Sequence, residues 1–411
     1  SEMCIRDRFY EDVHDMVNKY HDTTFYLICS NIKDFKFINE IFGMEKGNQV
    51  LIKQAKLMAS NPSERTICAR LMNDRFALCL PREEFDEKRV ADSVKELQCE
   101  FTGNSFHMHM YMGVYEIRDR DEAVSIMVDK ANIAADTIKN NYDCCVAYYD
   151  EHLLEISIEQ RRLLGEFEPA LQNDEFVMYL QPQVNSDGAA KGAEALVRWV
   201  HPSRGILTPY AFIDILENAG LIYKLDLYIW EKAAQKLAEW KEKGYGSYHI
   251  SVNISTKDFY ILDIYETFTG LINKYGIAAS NLHLEITETT LMTDFEKNMN
   301  IIHKLQDVGF RVEIDDFGSG YSSLNMLKDI SADVLKIDMG FLRKSENEVK
   351  GQDILESIIT LAGKIGMDVI TEGVETKKQL DMLTMMGCHE FQGYYFSKPV
   401  PVSEFEEKYL V

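Results

Sequence analysis

Between residues 176 and 397 the chain repeats one pattern: a short β-rich run, a helix-length amphipathic segment, then the next run. Few patterns restrict a fold more, because parallel strands cannot be joined by tight turns and need a crossover of a dozen residues or more. The runs are "FVMYLQPQV" (176–184), "GAEALVRWV" (192–200), "HISVNIS" (249–255), "LHLEITE" (282–288), "FRVEIDD" (310–316), "DVLKID" (333–338), "DVITEGVE" (368–375) and "EFQGYYFS" (390–397). The first two flank the turn "NSDG" and read as a hairpin, which makes the first strand antiparallel. Segments such as "LYIWEKAAQKLAEWKEKG" and "ILESIITLAGKIG" join most of the others. Eight such strands predict an α/β fold of the (β/α)8 barrel type.

Residues 1–150 have another rhythm. The β-rich runs "TTFYLICSNI" (23–32), "RTICARLMNDRFALCLP" (65–81) and "SFHMHMYMGVYEI" (105–117) are separated by helical stretches. The last two read as strands paired around short turns, an α+β sheet. The charged segment "ISIEQRRLLGEFEPAL" is the expected connector. The chain therefore divides into a first domain at 1–150, a linker helix at 151–164 and a barrel at 165–411. Its 411 residues exceed one ordinary core.

A net charge of −23 argues against a nucleic-acid polymer or an anionic membrane as partner, because nothing obvious would release counterions from phosphate. Seven of the 8 cysteines precede residue 150 without CxxC spacing and read as reduced thiols of a cytoplasmic protein. No stretch has the length and apolarity of a transmembrane helix. The chain opens on Ser1 rather than methionine, which suggests a fragment of a longer parent with room for an upstream sensor or membrane segment.

Side chains alternate along a strand. Ile250, Val252 and Ile254 oppose His249, Ser251 and Asn253; Leu282, Leu284 and Ile286 oppose His283 and Glu285; Ala195, Val197 and Trp199 oppose Glu194, Leu196 and Arg198. The apolar sets suit a helical shell, so the polar sets are expected to face the barrel interior. One polar residue in a strand is most often solvated or paired. Here Glu194, Asn253, Glu285, Asp315, Asp316, Lys336 and Glu372 come from several strands of one barrel, whose C-terminal ends share a mouth. Five carboxylates, one amide oxygen and one lysine cannot neutralise one another. Hard oxygen ligands of this kind suit Mg²⁺ or Mn²⁺ rather than zinc. Asp315 is placed to bridge two ions roughly 3.5–4 Å apart, the arrangement used for in-line phosphoryl displacement.

The stretches "LQPQV", "EALVRW", "HPSRGILTPYAFI", "VNIS", "EITET", "DDFGSGYSSL", "LKID", "EGVE" and "FQGYYFSKP" resemble, in order, EAL-type cyclic di-GMP phosphodiesterase domains from about residue 165 to 411. Each motif alone is weak; nine in order are specific. The resemblance implies a modified barrel with an antiparallel first strand, two Mg²⁺ or Mn²⁺ ions, and hydrolysis of cyclic di-GMP to linear pGpG. It implies that Glu194, Asn253, Glu285 and Asp315 hold one ion and that Asp315 and Asp316 hold the second, with Glu372 close by. Lys336 would position and polarise the attacking water. Gln181, Leu196, Arg198 and Gln392 would contact the substrate, with Arg198 suited to a phosphate oxygen. Glu288 would steady the loop after "DDFG", which links the metals to a homodimer interface. The alternative reading is a non-catalytic cyclic di-GMP receptor; an unrelated enolase-like barrel is disfavoured by the ordered motifs.

Residues 1–150 resemble a GGDEF diguanylate cyclase domain less closely, through "NIKDFKFINEIFGMEKGNQVL" (31–51), "YMGVYEI" and "DKANIAADTIKNN". The departures fall on the chemistry. Asn31 stands where a metal aspartate belongs, and Asn48 replaces a guanine-reading aspartate. In "LMNDRF" (71–76), Met72 and Asn73 replace two glycines that let backbone approach phosphate, and Arg75 replaces an acid. The resemblance therefore implies a catalytically dead domain in a regulatory or structural role, with GTP, held through Asn39 and Asp74, as a weak candidate ligand. His107 and His109 have no third ligand nearby and read as strand residues.

Overall fold

The β-rich runs pair into two sheets, one in each of two units, Ser1–Arg161 and Arg162–Val411. The computed structural model describes residues 2–33, 35–58, 63–102, 108–139, 141, 144–317, 330–338 and 348–410. In the first unit, strands β1 (Phe25–Ile32), β2 (Ile67–Met72), β3 (Arg75–Pro81), β4 (Met110–Glu116) and β5 (Val146–Tyr148) lie in the order β2-β3-β1-β4-β5. The run 65–81 folds on itself as the hairpin β2–β3, and the expected pairing with the run 105–117 is not made: β4 pairs with β1 and β5 instead. The reason lies in β1, which is apolar on both faces and buried along nearly its whole length, so it takes the centre of the sheet. Phe25, Leu27 and Cys29 pack with Phe9, Val13, Met127 and Val128 of the helices Glu2–Lys19 and Val124–Thr137. Tyr26, Ile28 and Ile32 pack with Val50, Leu51 and Met58 of the helix Met44–Met58. His109 is buried and bonds the carbonyl of Ile138, while His107 lies outside the described residues.

The helix Glu151–Gln172 takes in the whole expected linker and continues beyond it. The second unit is a closed barrel of β6 (Phe176–Asn185), β7 (Ala190–His201), β9 (His249–Ile254), β10 (Leu282–Thr287), β11 (Val312–Phe317), β12 (Val334–Asp338), β13 (Asp368–Glu372) and β14 (Glu390–Phe391). Two short strands, β8 (Gly205–Leu207) and β15 (Val400–Pro401), attach outside the ring. β6 is antiparallel to both neighbours, β7 and β14, and every other pairing in the ring is parallel. The eighth run was expected to be strand through residue 397, yet only Glu390–Phe391 pairs as one. After it the chain folds back on Val374, whose NH donates to the Gln392 carbonyl at 3.2 Å and whose carbonyl accepts from Tyr395 NH at 2.9 Å. The approach is close enough that a Cβ at Gly393 would stand 2.3 Å from the Val374 backbone.

The shell follows the two-residue period. Ile250, Val252, Ile254, Leu282, Leu284 and Ile286 are buried with Leu225, Ile229, Trp230, Ala233 and Leu237 of the helix Ile222–Glu242. Each such aliphatic side chain contributes about 2 kcal/mol of burial. Trp230 Nε1 also donates to the Asn253 carbonyl at 2.9 Å, which fixes the end of β9 where a candidate ligand sits.

Candidate functional site

The barrel interior is organised around one buried ammonium. Lys336 on β12 is fully buried, with its Nζ 2.7 Å from Glu372 Oε1 (β13), 2.9 Å from Glu285 Oε2 (β10), 3.4 Å from Asp315 Oδ1 (β11) and 3.5 Å from Glu194 Oε2 (β7). Five strands thus deliver five of the expected residues to one point. Asn253 on β9 joins them by donating from Nδ2 to Glu194 Oε1 at 3.1 Å. Asp316 follows Asp315 in β11; its side chain and the loop 318–329 lie outside the described part of the structure. Glu288, expected to steady that loop, opens the short helix Glu288–Thr293 at the end of β10.

One cation does not balance this cluster. Burial, with the Glu194 charge added, holds Glu285 well above the ordinary carboxylate range, and burial pushes Glu372 up to about 8 against the pull of Lys336. Burial alone would lower Lys336, but Glu194, Glu285, Glu372 and Asp315 hold it well above its usual value. Both Glu285 oxygens are buried and accept no hydrogen bond of acceptable geometry. Buried carboxylates in surplus, with oxygen atoms left over, are what a divalent cation of the Mg²⁺ or Mn²⁺ type would satisfy, so the donor set fits such ions.

A cleft of about 300 Å³ opens beside this cluster, lined by Gln181, Glu194, Leu196, Glu372 and Gln392 together with Asp338, Glu375 and Tyr394. Gln392 Nε2 donates to Glu194 Oε2 at 2.5 Å and to Gln181 Oε1 at 3.2 Å, tying the substrate side to the acidic side. Gln181 in turn donates to the Ser397 carbonyl at 3.3 Å. Arg198 lies beyond the cleft lining, 5.5 Å over the Tyr179 ring and bonded to its neighbour's carbonyl, Val197 O, at 2.7 Å. Asp338, Glu375 and Tyr394 were missed by the sequence reading. The signal for Asp338 was available: it stands two residues after Lys336 on the same strand side, within "LKID".

In the first unit a cavity of about 720 Å³ is lined by Asn31, Asn39, Asn48, Met72, Asp74 and Arg75, so the substituted positions share one cavity. Asn31 Nδ2 donates to the Tyr111 hydroxyl at 2.9 Å, and Asp74 Oδ2 accepts from the Ile32 NH at 3.1 Å. Asn73 holds φ +51°, a left-handed turn position that asparagine tolerates, so the hairpin survives the loss of glycine. No described helix is long and apolar enough to cross a membrane, and Cys29, Cys68, Cys79, Cys144, Cys145 and Cys388 are free thiols.

Residues 165–399 match the family model of the EAL domain, and residues 4–143 match that of the diguanylate cyclase GGDEF domain. MucR of Pseudomonas aeruginosa, a bifunctional diguanylate cyclase/cyclic di-GMP phosphodiesterase, is 29% identical over 98% of this chain and 59% of its own length. The solved structure of the PaMucR phosphodiesterase in complex with c-di-GMP is 33% identical, with a TM-score of 0.57, over 59% of this chain and 99% of that one. The S helix–GGDEF–EAL structure of Vibrio cholerae LapD, bound to c-di-GMP, shares the fold with a TM-score of 0.59 at 18% identity, over 95% and 93% of the two chains. The chain spans about half to three fifths of the length of the curated relatives it matches.

Proposed function

Since this chain belongs to the EAL domain family and carries a GGDEF domain in tandem before it, we propose that its barrel hydrolyses cyclic di-GMP to linear pGpG in a divalent-metal-dependent reaction. The observation that carries the reading is Lys336, buried within 2.7 to 3.5 Å of four carboxylates from four other strands. A site built only to bind a dianion would not collect acids at such a cost in desolvation. Mg²⁺ or Mn²⁺ held by Glu194, Asn253, Glu285, Asp315 and Asp316, with Glu372 beside them, would supply a nucleophile from water near neutral pH and offset phosphoryl charge.

The chain's own residues do the rest. Lys336 and Glu372, 2.7 Å apart, form a donor–acceptor pair that orients a water and holds its proton. Gln181 and Gln392 fix the ligand on the opposite wall of the cleft through their amides, and Leu196 packs against it. Arg198, once turned from the Val197 carbonyl, offers a fork of donors to a phosphate oxygen. The first unit acts in this reading as a regulatory or structural domain without cyclase activity, with GTP as at most a weak ligand through Asn39 and Asp74. Assembly into a homodimer and a cytoplasmic location complete it.

The test is turnover with Mg²⁺, run beside calorimetric binding in Ca²⁺. Formation of pGpG that is lost in Glu194→Ala supports the enzyme. Binding of cyclic di-GMP without pGpG would make the barrel a receptor, and no binding at all would overturn both readings.

A further inference from the structure

At the end of the barrel opposite the mouth, a second polar cluster occupies the strand starts. His249 opens β9, His283 is the second residue of β10, and Glu313 the second of β11. One ligand atom from each lies within 4.8 Å of the other two, and no other group of three or more His, Cys, Asp or Glu among the described residues meets that measure. The carboxylates at the mouth surround Lys336 without converging in this way. We propose that His249, His283 and Glu313 form a binding site for a divalent transition metal of the zinc type, separate from the acidic cluster at the mouth.

The donor set is the first argument. Two imidazoles and one carboxylate suit zinc and related borderline ions, whereas the all-oxygen mouth suits Mg²⁺ or Mn²⁺. The second is an unused acceptor. Glu313 is fully buried; its Oε1 lies 2.6 Å from His283 Nδ1, while its Oε2 has no hydrogen-bond partner. A buried anion with half its capacity unspent calls for a cation. The third is orientation. Gln183 on β6 places Oε1 2.7 Å from His249 Nε2, and that oxygen also accepts from Ser251 Oγ at 3.4 Å. An Nε2–H donor to this acceptor leaves Nδ1 with the lone pair, the outer hydrogen bond that metal-binding histidines ordinarily make.

The room for these rings is built in. The imidazoles of His249 and His283 stack at 3.8 Å and 4°, a separation two imidazolium cations would resist. On its other side, a Cβ at Gly192 would stand 2.4 Å from the His249 ring, so only glycine fits there. His249 keeps partial exposure and marks the route of entry. Binding would displace the proton shared between His283 Nδ1 and Glu313 Oε1, which leaves to solvent.

The experiment uses the full chain, stripped with EDTA and then equilibrated with zinc in excess Mg²⁺. After free ion is removed, zinc is counted by mass spectrometry in the wild type and in folded His249→Gln and His283→Gln. The wild type is expected to retain one more equivalent than either variant; equal counts would overturn the site. Should the variants fail to fold, zinc-edge anomalous diffraction from wild-type crystals decides. A peak at bonding distance from His249 and His283 supports the site, and no peak there overturns it.

Discussion

Lys336 carries one positive charge to a place where four acids meet, and the balance there is tested by removing it. Lys336→Met leaves Glu285 and Glu372 buried without a countercharge, a change that costs about 3 kcal/mol when one member of a buried ion pair is lost. The expected outcome in thermal unfolding is a lower Tm in EDTA, a deficit that shrinks in millimolar Mg²⁺, and no hydrolysis in either buffer. A variant as stable as wild type in EDTA would mean that the lysine is not what neutralises the cluster. A second residue, Asp258, is fully buried beyond the end of β9, where its Oδ2 accepts from the Ser255 NH at 2.9 Å. Burial, with the charge of Glu217 of the helix Ile213–Ala219 added, lifts it from the ordinary 3.8 to about 6 against the hydrogen bonds from Asp226 of the helix Ile222–Glu242 and the Ser255 NH. The folded pKa lies above the unfolded one, so the penalty is absent below pH 3.8, grows as pH rises towards 6 and is complete above it. Asp258→Asn keeps the acceptor for Ser255 and should therefore stabilise the protein by about 2 kcal/mol at pH 7.5, a gain that vanishes near pH 4 in denaturant titrations.

At the scale of the element, the fold-back after β14 holds the substrate side of the cleft. Gly393→Ala would drive a methyl into the Val374 backbone and displace Gln392 and Tyr394 on either side of it. We expect a loss of tenfold or more in kcat/KM with a lower Tm; unchanged kinetics would show that the turn does not position Gln392. This turn also marks where sequence reading stops. Glu194, Asn253, Glu285, Lys336 and Glu372 could be placed because the two-residue period of a strand is local and each apolar set names the opposite face. The central position of β1 needed a fact about the whole sheet, that a strand apolar on both faces must be flanked on both edges. The early end of β14 depends on Val374, which is remote from the apolar pattern of the eighth run. Glu375 and Tyr394 sit past the strand ends, where parity no longer says which way a side chain points. His249 and His283 were visible as inward polar residues, yet only the register of β9, β10 and β11 brings them to Glu313.

For the whole molecule, the net charge of −23 acts on any anionic ligand before it reaches the cleft. Cyclic di-GMP carries two phosphodiester charges of the same sign as the protein. Repulsion reaches about 30 Å at 10 mM ionic strength and about 8 Å at 150 mM. KM should therefore fall a few-fold over that range at fixed Mg²⁺, with kcat unchanged; a KM that rises with salt would mean that the local field at the mouth outweighs the total.

The one stave that runs against its neighbours has a consequence of another kind. Because β6 is reversed, Val184 and Asn185 pair with Phe391 and Glu390, and the hairpin turn at 186–189 emerges beside the strand starts rather than at the mouth. Ser186, Asp187 and Ala189 are exposed there. A fluorophore tethered at Ser186 would hang from the underside of the barrel, out of the path by which a nucleotide enters, giving a label that need not disturb the chemistry above it.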